Sequence, residues 1–465
     1  MFASRVNRLL ISASVAVLFL VGCKGHGSSA TAIPQADTNW TWVAGTNAAN
    51  SIGNYISVGS ATSTGQPSGR YGAMSWLDST GQFWVFSGAG GASDVWMFNP
   101  STLQWTWEAG NASVTVTSTG IYGTQGVAAA TNLPGQRRAG SSWTDTAGNF
   151  WMFGGYGTDE SGLIGYMSDL WSFNPSTKWW TWQKGPASGN GSVDWGTLNV
   201  PASTNQPNPR SNAAQWTSAG KFYMFGGAGY LTGNQVVQND LWEFDPLTTN
   251  WTWIGGTQNL NPIGTYGAQG QVVATNQPGG RHSATTWTDS KGNFWMFGGS
   301  GVDYIGNQGQ LNDLWQYNPT SKQWVWMNGS IQVNFIGAYG TNNVLSTVNQ
   351  PGARSGGIGW VDDSDNLWLF GGYGINSLGT QVVLNDLWEY QMATQQWVWI
   401  NGSYYGSVTG IYNTLGVLSQ YNAPGSRYDG AAWRDTANNF WMYGGLGYDA
   451  AGTNGSLGDT WKFFP

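Results

Sequence analysis

Along most of the chain, short apolar runs alternate with polar, glycine-rich segments in an order that repeats. An arginine is followed six residues later by a tryptophan, then by a run of consecutive apolar residues that closes on a glycine pair. A tryptophan two residues after an aspartate comes next, and a Trp-x-Trp step completes the unit. The arginines are Arg70, Arg137, Arg210, Arg281, Arg354 and Arg427, and the aspartates Asp94, Asp169, Asp240, Asp313, Asp386 and Asp459. The apolar runs FWVFSG, FWMFGG, FYMFGG, FWMFGG, LWLFGG and FWMYGG are short and aromatic, which predicts strands buried on both faces. In the Trp-x-Trp steps at Trp105, Trp180, Trp251, Trp324 and Trp397, strand alternation sets both indoles on one face.

Four short strands per unit, repeated six times, predict an all-β fold, a six-bladed β-propeller. The sixth unit stops after DTWKFF at Pro465, without a Trp-x-Trp step, while Trp40 and Trp42 supply one ahead of the first arginine. An N-terminal strand is therefore expected to complete the last blade and close the ring, which removes free strand edges. The glycine pair after the second strand and the tryptophan of the fourth resemble the kelch family over residues 38–465. That resemblance implies a kelch-type propeller similar to the central domain of galactose oxidase. The period of about 70 residues exceeds the roughly 50 of a kelch repeat. The surplus falls between strands four and one, and less between two and three.

The N-terminus reads as a processing segment. Arg5 and Arg8 precede an apolar stretch from Leu9 to Val21, and Leu20, Val21, Gly22 and Cys23 follow the pattern of a bacterial lipoprotein signal. The resemblance implies a signal peptide over 1–22, lipidation of Cys23, and a tether over 23–37. It also implies a cell-envelope protein held to a bilayer by its acylated cysteine. Lys24 in place of aspartate favours the outer membrane, by resemblance to the enterobacterial sorting rule. Cys23 is the only cysteine, so no disulfide forms within one chain.

Composition narrows the partners. Charged residues make up 9% of the chain, with 17 Lys and Arg against 24 Asp and Glu, while 31 Trp and 18 Phe supply core area. An acidic chain is a poor partner for nucleic acid, which needs a basic surface. Two histidines, His26 and His282, cannot build a histidine-based metal site. The copper site of galactose oxidase has no counterpart, no phosphate-cradling loop opens a helix, and no cofactor or metal is expected. A monomeric ring is expected.

Candidate site residues follow from the loops. Segments such as TDTAGN and NPSTKW are tight turns, so the long connections at the other face should carry function. An aromatic stands fifteen residues before each arginine: Tyr55, Tyr122, Trp195, Tyr266, Tyr339 and Tyr412. The arginines enter the innermost strands from that face. They are either a scaffold network with the aspartates or a ring around the channel mouth that grips carboxylates. Asp159, Asp303 and Asp449 follow the glycine pair in alternate blades, where Leu231 and Asn376 stand in two others, and could bind a cation or sugar hydroxyls. Asp362, Asp363, Asp365 and Asn366 resemble a calcium loop loosely, without its glycine or distal glutamate. His282 is a core residue or a general base. Two functions remain: a binding module for a glycan or protein on the long-loop face, or an enzyme on an acidic sugar, similar to the kelch-type sialic acid mutarotases.

Overall fold

A computed structural model describes residues 40–112, 118–191, 194–231 and 234–465 of the chain. The expected signal peptide over 1–22, Cys23 and the expected tether over 23–37 lie outside the described residues.

Six antiparallel four-stranded blades surround a central channel. Blade four is representative. Its innermost strand has two parts, Arg281–His282 and Thr285–Thr288, followed outward by Phe294–Val302, Gln308–Asn318 and Gln323–Asn328. Cross-strand pairs such as Trp287 with Trp295 and Trp315 with Trp326 hold the register, as the two-residue alternation demands. In blade six the outermost strand is Trp40–Ala44, which pairs with Thr460–Phe463 through Trp40 opposite Phe463 and Trp42 opposite Trp461. The expected closure by the N-terminal strand is the observed one.

The apolar runs are buried on both faces because each core lies between neighbouring blades. One cluster joins Trp216, Tyr223 and Phe225 of blade three to Phe294, Met296 and Trp315 of blade four. Each innermost tryptophan reaches forward to the next blade. Trp143 stacks on Phe222 at 5.3 Å with an interplanar angle of 1°, and Trp216 stacks on Phe294 at 5.2 Å. Trp433 does the same to Phe83 at 5.0 Å across the closure, so the joint between last and first blades repeats the others.

The surplus residues of each repeat do not simply crowd the channel face. The fourth-to-first connections fold back along the outermost strand. Gly59, Gly126, Gly270 and Gly416 donate their amides to the carbonyls of Trp107, Trp182, Trp326 and Trp42. The side-chain amides of Asn132, Asn205 and Asn276 donate to Trp180, Trp251 and Trp324. An edge strand carries a row of unpaired peptide groups, and these loops cover part of it.

At the channel, the residue two after each repeat arginine has a left-handed backbone: Gly72, Ala139, Asn212, Ser283, Gly356 and Asp429, with φ between 54° and 65°. Their peptides join head to tail. Each amide donates to the carbonyl of the preceding blade's equivalent at 2.7–2.9 Å, and Gly72 donates to Asp429 to close the circle. The left-handed turn aims the amide sideways along the ring, which the regular strand direction would not.

Candidate ligand site at the channel mouth

The six repeat arginines are scaffold. Arg281 donates from Nη1 to Asp313 Oδ1 at 2.6 Å and from Nη2 to Oδ2 at 2.8 Å, with Nε bound to the Gly279 carbonyl and Nη1 also to that of Gly298. Tyr266 Oη and Trp315 Nε1 both donate to Asp313 Oδ2 at 2.7 Å. The same fork recurs for Arg70 with Asp94, Arg137 with Asp169, Arg210 with Asp240, Arg354 with Asp386 and Arg427 with Asp459, each side chain 0–1% exposed. Burial opposes the charge on Arg281, but the facing carboxylate outweighs it and its pKa rises. A ring of free guanidinium groups is therefore not what the chain builds, because each fork is already filled by its own aspartate.

The aromatics fifteen residues upstream belong to the same network. Tyr55, Tyr122, Tyr339 and Tyr412 donate to the aspartate of their blade at 2.6–2.7 Å, as Tyr266 does. Burial and the adjacent carboxylate hold the Tyr266, Tyr339 and Tyr412 hydroxyls protonated far above their ordinary range. Trp195 lacks a hydroxyl and instead packs on Trp242 and Trp253 at 5.5 and 5.3 Å.

Asp159, Asp303 and Asp449 do not form a carboxylate set open to a ligand. Each is buried and caps its own hairpin. Asp303 Oδ1 accepts the amides of Ile305 and Asn307, and Asp159 and Asp449 do likewise two and four residues on. Asn376 performs the same cap for Leu378 and Thr380 with a neutral oxygen, so the position asks for an acceptor and not for charge. Asp362 is likewise a turn cap that also accepts Trp368 Nε1, as Asp145 and Asp289 accept Trp151 and Trp295. Asp365 binds Ser290 through both oxygens, and Asp363 pairs with Arg434, which spends the residues of the loose calcium pattern. Burial pushes the His282 pKa down to about 4, and Nδ1 lies 3.0 Å from Ser283 Oγ. Among the described residues no group of three or more metal-ligating side chains is brought together.

The copies diverge one and two residues beyond each arginine, on the innermost strands at the channel. The first of these positions holds Tyr71, Arg138, Ser211, His282, Ser355 and Tyr428, paired across to Ala89, Tyr156, Ala228, Ser300, Tyr373 and Leu446. Arg138 lies over the rings of Tyr156 and Tyr71, with Cζ 5.0 and 5.8 Å from their centroids. Tyr156 contacts Tyr166 at 5.1 Å, and Tyr373 contacts Tyr428 at 5.8 Å. Below lies a channel cavity of about 300 Å³ lined by small residues, together with Gln215, Asn212 and Asp429. Burial raises the Asp429 carboxyl to about 6, with Arg138 pulling in the opposite direction. Sequence reasoning passed over Arg138 because it stands beside a repeat arginine, and Asp429 because only one copy carries it. The available signal was divergence at a position where the other copies have Gly, Ala, Asn or Ser.

With this geometry, the class of protein is plain: a six-bladed kelch-type β-propeller with a polar, aromatic-rimmed channel mouth. A family profile described as the KLHDC2/KLHL20/DRC7 Kelch-repeats domain matches residues 124–325, which spans blades two to four. The flagellar outer-arm dynein alpha chain of Chlamydomonas reinhardtii is similar at 26% identity over 215 residues, or 45% of this chain and 4% of that one. The match thus covers a small fraction of the dynein's length. The solved structure of YjhT superimposes with a TM-score of 0.51 at 13% identity, covering 84% of this chain and 94% of that one. At that identity the likeness is one of fold.

Proposed function

We propose that this protein is an envelope-anchored binding module that takes an anionic glycan at the long-loop end of its channel. The observation that carries the reading is Arg138. Each of the six repeat arginines is matched by an aspartate, whereas Arg138 has no carboxylate bound to it among the described residues and sits between two tyrosine faces. A guanidinium flanked by aromatic rings presents its free edge to a carboxylate, while Tyr71, Tyr156 and Tyr428 offer apolar faces to a sugar ring.

A second reading, an acidic-sugar mutarotase, is favoured by Asp429, whose pKa of about 6 suits proton transfer near neutral pH. Titration calorimetry with N-acetylneuraminic acid tests the first reading. Arg138→Ala should abolish binding at an unchanged melting temperature, whereas Arg137→Ala should destabilise the fold by about 3–5 kcal/mol, since it leaves Asp169 buried without its partner. Retained binding in Arg138→Ala would reject the site. Rapid anomer exchange by NMR with wild-type protein, lost in Asp429→Asn, would move the function to the enzyme.

A further inference from the structure

Three consecutive stations of the peptide circle are occupied by Asp429, Gly72 and Ala139, joined by the amide of Gly72 to the Asp429 carbonyl and that of Ala139 to the Gly72 carbonyl. Tyr428, Tyr71 and Arg138 immediately precede them, so the one acidic side chain of the circle and the free cation of the rim belong to one patch across blades six, one and two. Asp429 is fixed in its left-handed conformation from both sides, because its own amide donates to Gly356 at 2.9 Å. Asp429 lines the channel cavity, and among the described residues no protein donor is hydrogen-bonded to its carboxylate. A Cβ at Gly356 would stand 2.5 Å from Asp429 Oδ1, so the glycine there makes room for the carboxylate.

We propose that Asp429 is a specificity-determining residue of the channel-mouth site, the second contact of the anion held by Arg138. The inference rests on the anionic-glycan reading and deepens it. When ionised, Asp429 repels an anion placed on Arg138 and accepts only a hydroxyl or ammonium donor. When protonated, it can donate a hydrogen bond to the ligand. The site therefore selects ligands that carry one anionic group with a hydrogen-bond donor beside it, and disfavours those with a second anion at that distance. Affinity for a monoanionic sugar acid depends on pH, rising as pH falls through the Asp429 titration and levelling below it.

The neighbouring groups do not confuse this titration. Tyr428, the residue next to Asp429, remains neutral below pH 8 because burial raises its hydroxyl to about 12. His282, on the same rim in blade four, is pushed by burial to about 4 and stays neutral above that.

The test has two arms. Without ligand, carbon-13 carboxyl NMR of aspartate-labelled protein should show one resonance titrating near pH 6 that disappears in Asp429→Asn. A resonance titrating below pH 4 overturns the proposal whatever the ligand does. With N-acetylneuraminic acid, whose carboxylate is ionised throughout, the dissociation constant should fall about tenfold between pH 7.5 and 5.5, and Asp429→Asn should flatten that dependence while keeping Arg138-dependent binding. The fold-change corresponds to about 1.4 kcal/mol. Binding that is present but insensitive to pH, or a pH dependence that survives in Asp429→Asn, overturns the role of Asp429 and leaves the anionic-glycan reading standing. No binding at any pH overturns both.

Discussion

At the residue scale, the chain uses similar side chains for opposite ends. Asp303 and Asp313 are both buried, yet Asp313 neutralises a guanidinium while Asp303 only collects amides. Burial alone would raise the Asp303 carboxyl, but hydrogen bonds from Asn307, Ile305 and Val333 overcome it and the pKa falls below the ordinary carboxylate value. Asp449 is lowered in the same way by amides of blade six and of Ala49. A carboxylate whose folded pKa is depressed contributes stability that is fully present above its unfolded value, about 3.9, and is lost as pH falls through the folded value. Asp303→Asn should therefore leave stability at pH 7 little changed, because Asn376 already makes the equivalent cap, and should shallow the loss of stability below about pH 4. Urea midpoints measured from pH 7 down to pH 2.5 check this; an acid limb identical to wild type would show that the cap does not titrate with folding. The arginine and aspartate forks were legible in the sequence as a pair of six-fold sets, and the scaffold alternative was one of the two readings they allowed. The burial that decides between them was not legible, since a repeat pattern reports that a residue recurs and not whether solvent reaches it.

At the element scale, the strands and their order could be read from aromatic runs and turns because a propeller repeats the same hydrophobic code six times. The course of the long connections could not. Their path along the outermost strand depends on backbone bonds such as Gly126 to Trp182, which leave no mark on the hydropathy pattern. Local departures between blades have measurable consequences. Trp76, Trp216, Trp287 and Trp360 each donate Nε1 to a carbonyl of the next blade at 3.0–3.1 Å. Trp143, which faces a blade with Tyr223 in place of the usual second-strand tryptophan, has a buried Nε1 without a partner. Both Trp143 and Trp216 stack flat on a phenylalanine, so the loss of apolar contact on substitution is similar. Trp216→Phe should then cost about 1 kcal/mol more than Trp143→Phe, the worth of one hydrogen bond. Equal losses in chemical denaturation would show that the interblade indole bonds contribute little beyond packing.

At the scale of the whole molecule, the ring has no independent part. Every buried cluster draws on two adjacent blades, and the cluster that closes the circle combines Phe83, Trp96 and Trp105 of blade one with Trp433, Trp441 and Tyr443 of blade six. The channel circle has the same property, since breaking one of its interblade hydrogen bonds leaves an amide and a carbonyl unpaired. Blade six alone is assembled from both ends of the chain, so its outermost strand is the place where closure can be tested without touching the channel. Trp40 packs against Phe463, Phe370, Trp360 and Trp461 at centroid distances of 4.9–6.4 Å, which ties the strand to blade five as well as to its own blade. Trp40→Ala should cost about 3–5 kcal/mol. Because the blades share their cores, the loss should appear as a lower midpoint in a single unfolding transition followed by both tryptophan fluorescence and far-ultraviolet dichroism. Separate transitions for the two probes would mean that blade six melts alone and that the ring stays folded with an open edge. A shared transition at a lower midpoint ties the N-terminal strand, which ends at Ala44 while the rest of its blade starts only at Arg427, to the stability of all six blades and hence to the geometry that holds Arg138 and Asp429 at the mouth.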